Sequence, residues 1–192
     1  MIDNNIFSCD PLPSNNGYTW TIVSRLGDMF CEAEKLFGSR DKEYTILGIE
    51  FANIEQPQIW YPGNCNHVII QVTKDCSNNM EKAIFQVAHE AIHCLCPNPK
   101  KKATVLEEGL ATYFSMYYTH THKIYYNIDN PQYQIAYDLC SKLLNYDFEL
   151  VKKARIIEPD ISFINKEILL SICSNIDHTL IDELTKFFER NQ

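Results

Sequence analysis

The spacing of apolar residues along the chain is helical at first, then alternating, and then helical again. Between residues 20 and 37, apolar side chains recur every three or four positions, which predicts a helix, and Gly38 follows as a stop. Runs rich in β-branched and aromatic residues then predict three strands, at 44–51, 58–61 and 67–73. Pro62-Gly63-Asn64 is typical of a turn between the last two strands.

Two capping-box sequences predict the starts of the next two helices. In the first, Asn78 is followed three residues later by Glu81. In the second, Thr104 is followed by Glu107. The helices that they begin are predicted to end before Pro97 and near Tyr118, respectively.

The rest of the chain is predicted to be mainly helical. Further helix starts are expected at Asn130-Pro131 and, for shorter helices, after Asp147, Ser162 and Asp177. The predicted fold class is therefore α+β, with a small β-sheet followed by a mainly α-helical second half. No linker divides the chain, so we expect a single domain over 1–192, made of an irregular lead-in (1–17), a core (18–118) and a helical subdomain (119–192).

Composition and charge narrow the classes of function. The 192 residues carry 17 Lys and Arg against 25 Asp and Glu, a net charge of −8, and an acidic chain without a basic stripe is a poor candidate for binding nucleic acid. No uncharged apolar run approaches the roughly 18 residues of a membrane span. The first residues lack the basic and apolar regions of a signal peptide. We therefore expect a cytoplasmic protein, not bound to a membrane, whose eight cysteines are free thiols.

An H-E-x-x-H sequence, formed by His89, Glu90 and His93, carries the strongest chemical signal. Four residues on a helix make about one turn plus 40°, so the two imidazoles project side by side and can bind one metal ion. Glu90 lies about 100° round the helix from His89, close enough to contact a metal-bound water. The alternative is two partly exposed histidines and a solvated glutamate on an ordinary helix.

A zinc hydrolase site usually needs a third protein ligand, and two adjacent glutamates compete for that role. If Thr104 caps the helix, Glu107 turns back to the backbone and Glu108 is free to face the preceding helix. Gly109 costs about 1 kcal/mol relative to alanine inside a helix. Close approach of two helices beside the metal would explain this glycine, whereas the alternative for Glu108 is a solvated charge.

The sequence H-E-A-I-H at 89–93, followed by L-E-E-G-L-A-T-Y-F at 106–114, resembles the gluzincin (peptidase MA-like) zinc metallopeptidases. The resemblance covers residues 44–118 and is specific over 86–114. It implies a zincin-like core and one Zn²⁺ per chain, with His89, His93 and Glu108 as the ligands and Glu90 as the general base.

The same resemblance implies that a metal-activated water hydrolyses peptide bonds of a peptide or protein substrate. An extended substrate is then expected beside the strand at 58–61. The G-A-M-E-N sequence with which the aminopeptidase-N-like members hold a free amino terminus is absent, so an endopeptidase is expected rather than an aminopeptidase. Two alternatives stay open: a non-catalytic zinc-containing binding or regulatory module, and a toxin-like protease with a single protein target.

Other residues are candidates for lesser roles. Cys96 lies near the helix face of His89 and is a secondary candidate for a metal ligand. Cys65 and His67 resemble half of a ligand pair without its second half. A tyrosine or histidine within about 113–137 is expected to stabilise the oxyanion, and the sequence does not distinguish among the tyrosines there, His120 and His122.

Overall fold

A computed structural model describes residues 21–63, 66–100 and 102–190. Over these residues the chain forms an α+β fold with seven α-helices and one small sheet. The strands are β1 (Thr45–Ala52), β2 (Gln58–Trp60) and β3 (His67–Thr73). The helices are α1 (Ile22–Phe37), α2 (Met80–His93), α3 (Val105–Thr121), α4 (Pro131–Leu144), α5 (Leu150–Ile157), α6 (Lys166–Ile172) and α7 (His178–Leu184). Two short 3₁₀ segments are found at Lys74–Asn78 and Ile161–Phe163.

The three strands form one mixed sheet with β3 in its centre. β1 pairs with β3 in parallel, and β2 pairs with the other side of β3 in the antiparallel direction. Alternate residues of β3 are fully buried, because this face of the sheet packs against α2; they are Val68, Ile70 and Val72. The sheet thus places β2 at one edge, within contact of α2.

Gly109 allows α3 to pack very closely against α4. A Cβ atom added at Gly109 would lie 2.4 Å from the carbonyl oxygen of Ala136 and 2.9 Å from the Cβ of Cys140. The sequence prediction of a close helix approach at Gly109 is therefore confirmed. The neighbouring helix at this point is α4, which carries Ala136 and Cys140.

Several helices begin at the predicted caps, because capping is decided by residues only a few positions apart. The side chain of Thr104 accepts a hydrogen bond from the Glu107 amide, and that of Asn130 accepts one from the Gln132 amide. Asp177 caps α7 in the same way.

Three helix ends differ from the prediction. The 3₁₀ segment ends at Asn78, so Asn79 caps α2 by accepting from the amide of Lys82, and Glu81 is not the capping-box partner. Asn165, rather than Ser162, caps α6. α3 continues to Thr121 and so spans the boundary expected at 118.

Buried apolar side chains form one cluster that extends from Leu26 in α1 to Leu184 in α7. The buried Arg155 of α5 ties the helical second half to the first half. Its guanidinium donates hydrogen bonds to backbone carbonyls at the end of α1 and just after it, those of Phe37, Gly38 and Ser39. These hydrogen bonds satisfy the carbonyls and fix the position of α5 relative to α1.

Six cysteines fall in the described part of the chain, and all six are free. Cys9 and Cys65 lie outside the described residues, as do the predicted lead-in at 1–17, Trp20 and Asn64. Within the described ranges, no helix has both the length and the apolar character that crossing a membrane requires.

Candidate metal centre

The H-E-x-x-H residues lie within α2, which is buried between the sheet and α3. His89 and Glu90 are buried, and His93 is half-buried. The imidazole centroids of His89 and His93 are 5.1 Å apart. The two rings therefore stand side by side on successive turns of α2, as their spacing predicts.

Glu108, in the first turn of α3, lies close to both imidazoles. Its Oε2 atom lies 3.0 Å from Nε2 of His89 and 3.7 Å from Nε2 of His93. The potential ligand atoms of the three residues all lie within 4.8 Å of one another. Tetrahedral zinc, with bonds of about 2.0–2.2 Å, holds its ligand atoms about 3.3 Å apart. Both the donor set and its spacing therefore fit a zinc ion.

Charges at this site are strongly coupled. Burial opposes a charge on His93, yet the carboxylates of Glu108 and Glu107 raise its pKa well above the usual value. Burial likewise opposes a charge on Glu108, but His93 and His89 hold its pKa well below the usual value. Burial raises the pKa of Glu90, and the two histidines offset this only in part. Glu90 is thus a stronger proton acceptor than an exposed glutamate.

Glu107 does not turn back to the helix terminus as the sequence predicted. Thr104 does accept a hydrogen bond from the Glu107 amide, but the Glu107 carboxylate is used elsewhere. Its Oε1 atom accepts a hydrogen bond from Nδ1 of His93 at 2.7 Å, and its Oε2 atom accepts one from the hydroxyl of Ser162. Because Glu107 holds the proton on Nδ1, Nε2 is the nitrogen of His93 that is left to bind a metal, on the side of Glu108.

Tyr133 and Arg190 approach the centre from the helical second half. The ring of Tyr133 packs edge-on against His89, with centroids 5.5 Å apart, and also contacts the ring of Phe188. Nη2 of Arg190 lies 3.4 Å from Oε1 of Glu108, and the guanidinium lies over the Tyr133 ring. Burial, together with the charges of Glu108 and Glu90, raises the pKa of Tyr133, so its hydroxyl is protonated at neutral pH.

A cleft of about 790 Å³ opens over these residues. Glu90, His93 and Glu108 line it, so two of the three potential metal ligands and the potential base are reached from one opening. Gln58 and Ile59 of β2 line one part of the cleft, and the C-terminal segment that carries Arg190 lines another. The arrangement can place a bound substrate between an edge strand and the centre.

The remaining candidates lie apart from the centre. Cys96 does not belong to the group of potential metal ligands that the described residues form. His67 begins β3, and its proposed partner Cys65 lies outside the described residues. His120 is in the last turn of α3, about 18 Å along the helix from Glu108 at 1.5 Å per residue. His122 contacts Arg25 and Asp28 instead.

Comparisons of the chain with protein-family models, with curated proteins and with solved structures find no match. The resemblance over residues 86–114 therefore rests on the motif residues themselves. The structure brings His89, His93 and Glu108 into one group and lines the adjoining cleft with Glu90. Sequence reasoning missed Ser162 and Arg190, because both are distant in the chain and neither belongs to a recognisable motif.

Proposed function

We propose that this protein is a zinc-dependent metallopeptidase with a gluzincin-like ligand set. The observation that carries the proposal is the convergence of two α2 imidazoles on one oxygen of Glu108, beside the buried Glu90. A purely structural zinc site has no use for a buried carboxylate that faces the cleft without belonging to the ligand group. This consideration favours the peptidase over a non-catalytic zinc-containing module.

Glu90 is the general base of the proposed reaction. When bound, zinc supplies Lewis-acid polarisation of the scissile carbonyl and lowers the pKa of the attacking water. Glu90 accepts the proton of this water as the oxygen bonds to the carbonyl carbon. It then delivers the proton to the amine as the carbon–nitrogen bond breaks. Burial raises the pKa of Glu90, which makes its carboxylate a stronger proton acceptor than that of an exposed glutamate.

Tyr133 is the proposed donor to the oxyanion. Of the tyrosines within 113–137, it is the one that packs against a potential metal ligand, His89. Tyr113 instead stacks on Tyr137, and Tyr118 donates to Asp28. A protonated phenol beside the centre can donate a hydrogen bond to the carbonyl oxygen as negative charge develops on it.

β2 is the proposed substrate-binding strand. It lies at the edge of the sheet, and Gln58, Ile59 and Tyr61 in or next to it line the cleft together with Glu90. An extended peptide can pair with such an edge through backbone hydrogen bonds. This mode of binding is compatible with an endopeptidase, because it needs neither terminus of the substrate.

Metal analysis of ligand variants tests the proposal. Protein purified without chelator should contain about one zinc per chain. His89→Ala and His93→Ala should abolish zinc retention, and Glu108→Ala should weaken it strongly. Glu90→Gln should retain the zinc, as should the control Glu81→Ala on the exposed first turn of α2. Loss of zinc from Glu90→Gln would make Glu90 a ligand and would refute the proposed arrangement.

A further inference from the structure

Arg190 reaches the centre from a C-terminal segment that is fixed by its backbone. The amide of Val105 donates a hydrogen bond to the carbonyl of Lys186, and the amide of Phe188 donates one to the carbonyl of Ala103. These two bonds hold residues 186–188 against the start of α3, the helix that carries Glu108. The segment that leads to Arg190 is therefore held beside the start of α3 by its backbone.

The two oxygens of Glu108 face different partners. Oε2 faces Nε2 of both His89 and His93, whereas Oε1 faces Nη2 of Arg190. The side chain of Glu108 is only 4% exposed, while that of Arg190 is 45% exposed. An ionised, buried carboxylate needs partners for both oxygens, and Arg190 provides one for Oε1.

We infer that Arg190 is a positioning residue that makes Glu108 bind the metal through one oxygen only. The inference rests on the proposed metal site. Oε1 is held by the guanidinium, so Oε2 is the oxygen left for the ion. One-oxygen binding keeps a coordination position available for water, which a catalytic zinc site requires. Arg190 thus orients the potential ligand Glu108, just as Glu107 orients the potential ligand His93, and neither Arg190 nor Glu107 binds the metal in this arrangement.

The charge of Arg190 explains why this residue type suits the role. A guanidinium is always protonated and has several donors, so it holds a carboxylate oxygen at every pH at which the site operates. If the guanidinium of Arg190 is removed, Oε1 of the buried Glu108 loses its partner. We then expect the metal to bind both oxygens of Glu108. The coordination number of the metal is therefore the property that Arg190 controls.

Cobalt substitution tests this inference without an activity assay. The visible bands of protein-bound Co²⁺ weaken as its coordination number rises from four, so they report one-oxygen or two-oxygen binding by Glu108. Arg190→Ala should weaken these bands and reduce zinc affinity about tenfold. Arg190→Lys, which keeps a charged donor, should restore both in part. Lys186 lies in the same segment, but its side chain forms an ion pair with Glu183. Lys186→Ala should therefore change neither the cobalt bands nor the zinc affinity.

The outcomes separate the inference from the proposed function. If wild-type protein binds cobalt and the bands are unchanged in Arg190→Ala, the inference is overturned while the metal site stands. If affinity falls in Arg190→Ala without any change in the bands, Arg190 is merely structural and the inference is again overturned. A wild-type protein that takes up neither cobalt nor zinc overturns the metal site and the inference together. Circular dichroism of the variants verifies that each one is folded.

Discussion

Oε1 of Glu107 lies 2.7 Å from Nδ1 of His93, so Glu107 orients a potential metal ligand. The next residue in the chain, Glu108, is itself a potential metal ligand. The neighbouring side chains point to different atoms of the same imidazole, since Glu108 faces its Nε2. Ser162 holds the other oxygen of Glu107 and so fixes the carboxylate. The imidazole is therefore oriented from both sides before a metal binds.

Glu107→Ala should weaken zinc binding by about 10–100-fold, because it removes the partner that fixes the ring and the proton of His93. The helix should persist, since Thr104 accepts from the backbone amide of residue 107 rather than from its side chain. Competition with a chromophoric chelator measures the affinity. If Glu107→Ala binds zinc as tightly as Glu81→Ala does, the contact with His93 has no role in metal binding.

Tyr133→Phe should lower kcat by about 10²–10³-fold with little change in zinc content, because it removes a donor to the oxyanion and leaves the ring against His89. Tyr137→Phe is the matched control, since Tyr137 lies on the same helix but stacks on Tyr113. Steady-state kinetics of both variants on one cleaved peptide measure the effect. Equal activity of the two variants would exclude Tyr133 as the donor.

Gly109→Ala should lower the free energy of unfolding by about 1–3 kcal/mol, because its Cβ would overlap the backbone of α4. Gly27→Ala in α1 is the matched control. A Cβ at Gly27 would meet nothing within 4 Å, so this variant should gain about 0.5–1 kcal/mol from helix propensity. Urea denaturation measures both. Stabilisation by Gly109→Ala would show that α3 and α4 are not so close in solution.

The pH dependence of stability should reflect the coupled pair His93 and Glu108 in metal-free protein. The pKa of His93 is raised on folding, so the native state binds more protons than the unfolded state above about pH 6.5, and stability falls as pH rises through the folded pKa. The pKa of Glu108 is lowered on folding, so its contribution is lost as pH falls below about 4.3 toward the folded pKa.

Urea denaturation of chelator-treated protein at a series of pH values measures this dependence. Above about pH 6.5, the wild type should lose stability more steeply than His93→Gln, which lacks the titrating group. Subtracting the free energy of unfolding of His93→Gln from that of the wild type at each pH removes the contributions of the other titrating groups. Parallel curves would show that the pKa of His93 is not raised in the folded chain.

Local features of the fold were predictable from the sequence because they depend on residues a few positions apart. The strand at 67–73 alternates between buried and half-buried positions along most of its length, and the Thr104 cap accepts from residue 107. The start of α2 was predicted one residue too early, because Asn78 and Asn79 are adjacent and only the preceding 3₁₀ segment decides between them.

Within the candidate site, predictability also falls with distance along the chain. The pairing of His89 with His93 follows from helical geometry alone. The Thr104 cap predicts that Glu107 turns to the helix terminus, whereas in the structure its carboxylate accepts from Ser162, which is 55 residues away. Arg190 is 82 residues from Glu108, and no spacing rule connects them. Such contacts are created by tertiary packing, which brings residues of the helical second half next to the potential metal ligands of α2 and α3.

Detection of new amino termini by mass spectrometry, in a cell lysate and in a peptide library derived from it, is the most direct test of the peptidase. The lysate includes folded proteins, so an enzyme with a single protein target is also detected. Zinc-loaded wild type should generate new termini at least a hundredfold faster than zinc-loaded Glu90→Gln, which keeps the metal but lacks the base. Equal rates for the two zinc-loaded proteins, or no new termini with either, would contradict hydrolysis at this centre.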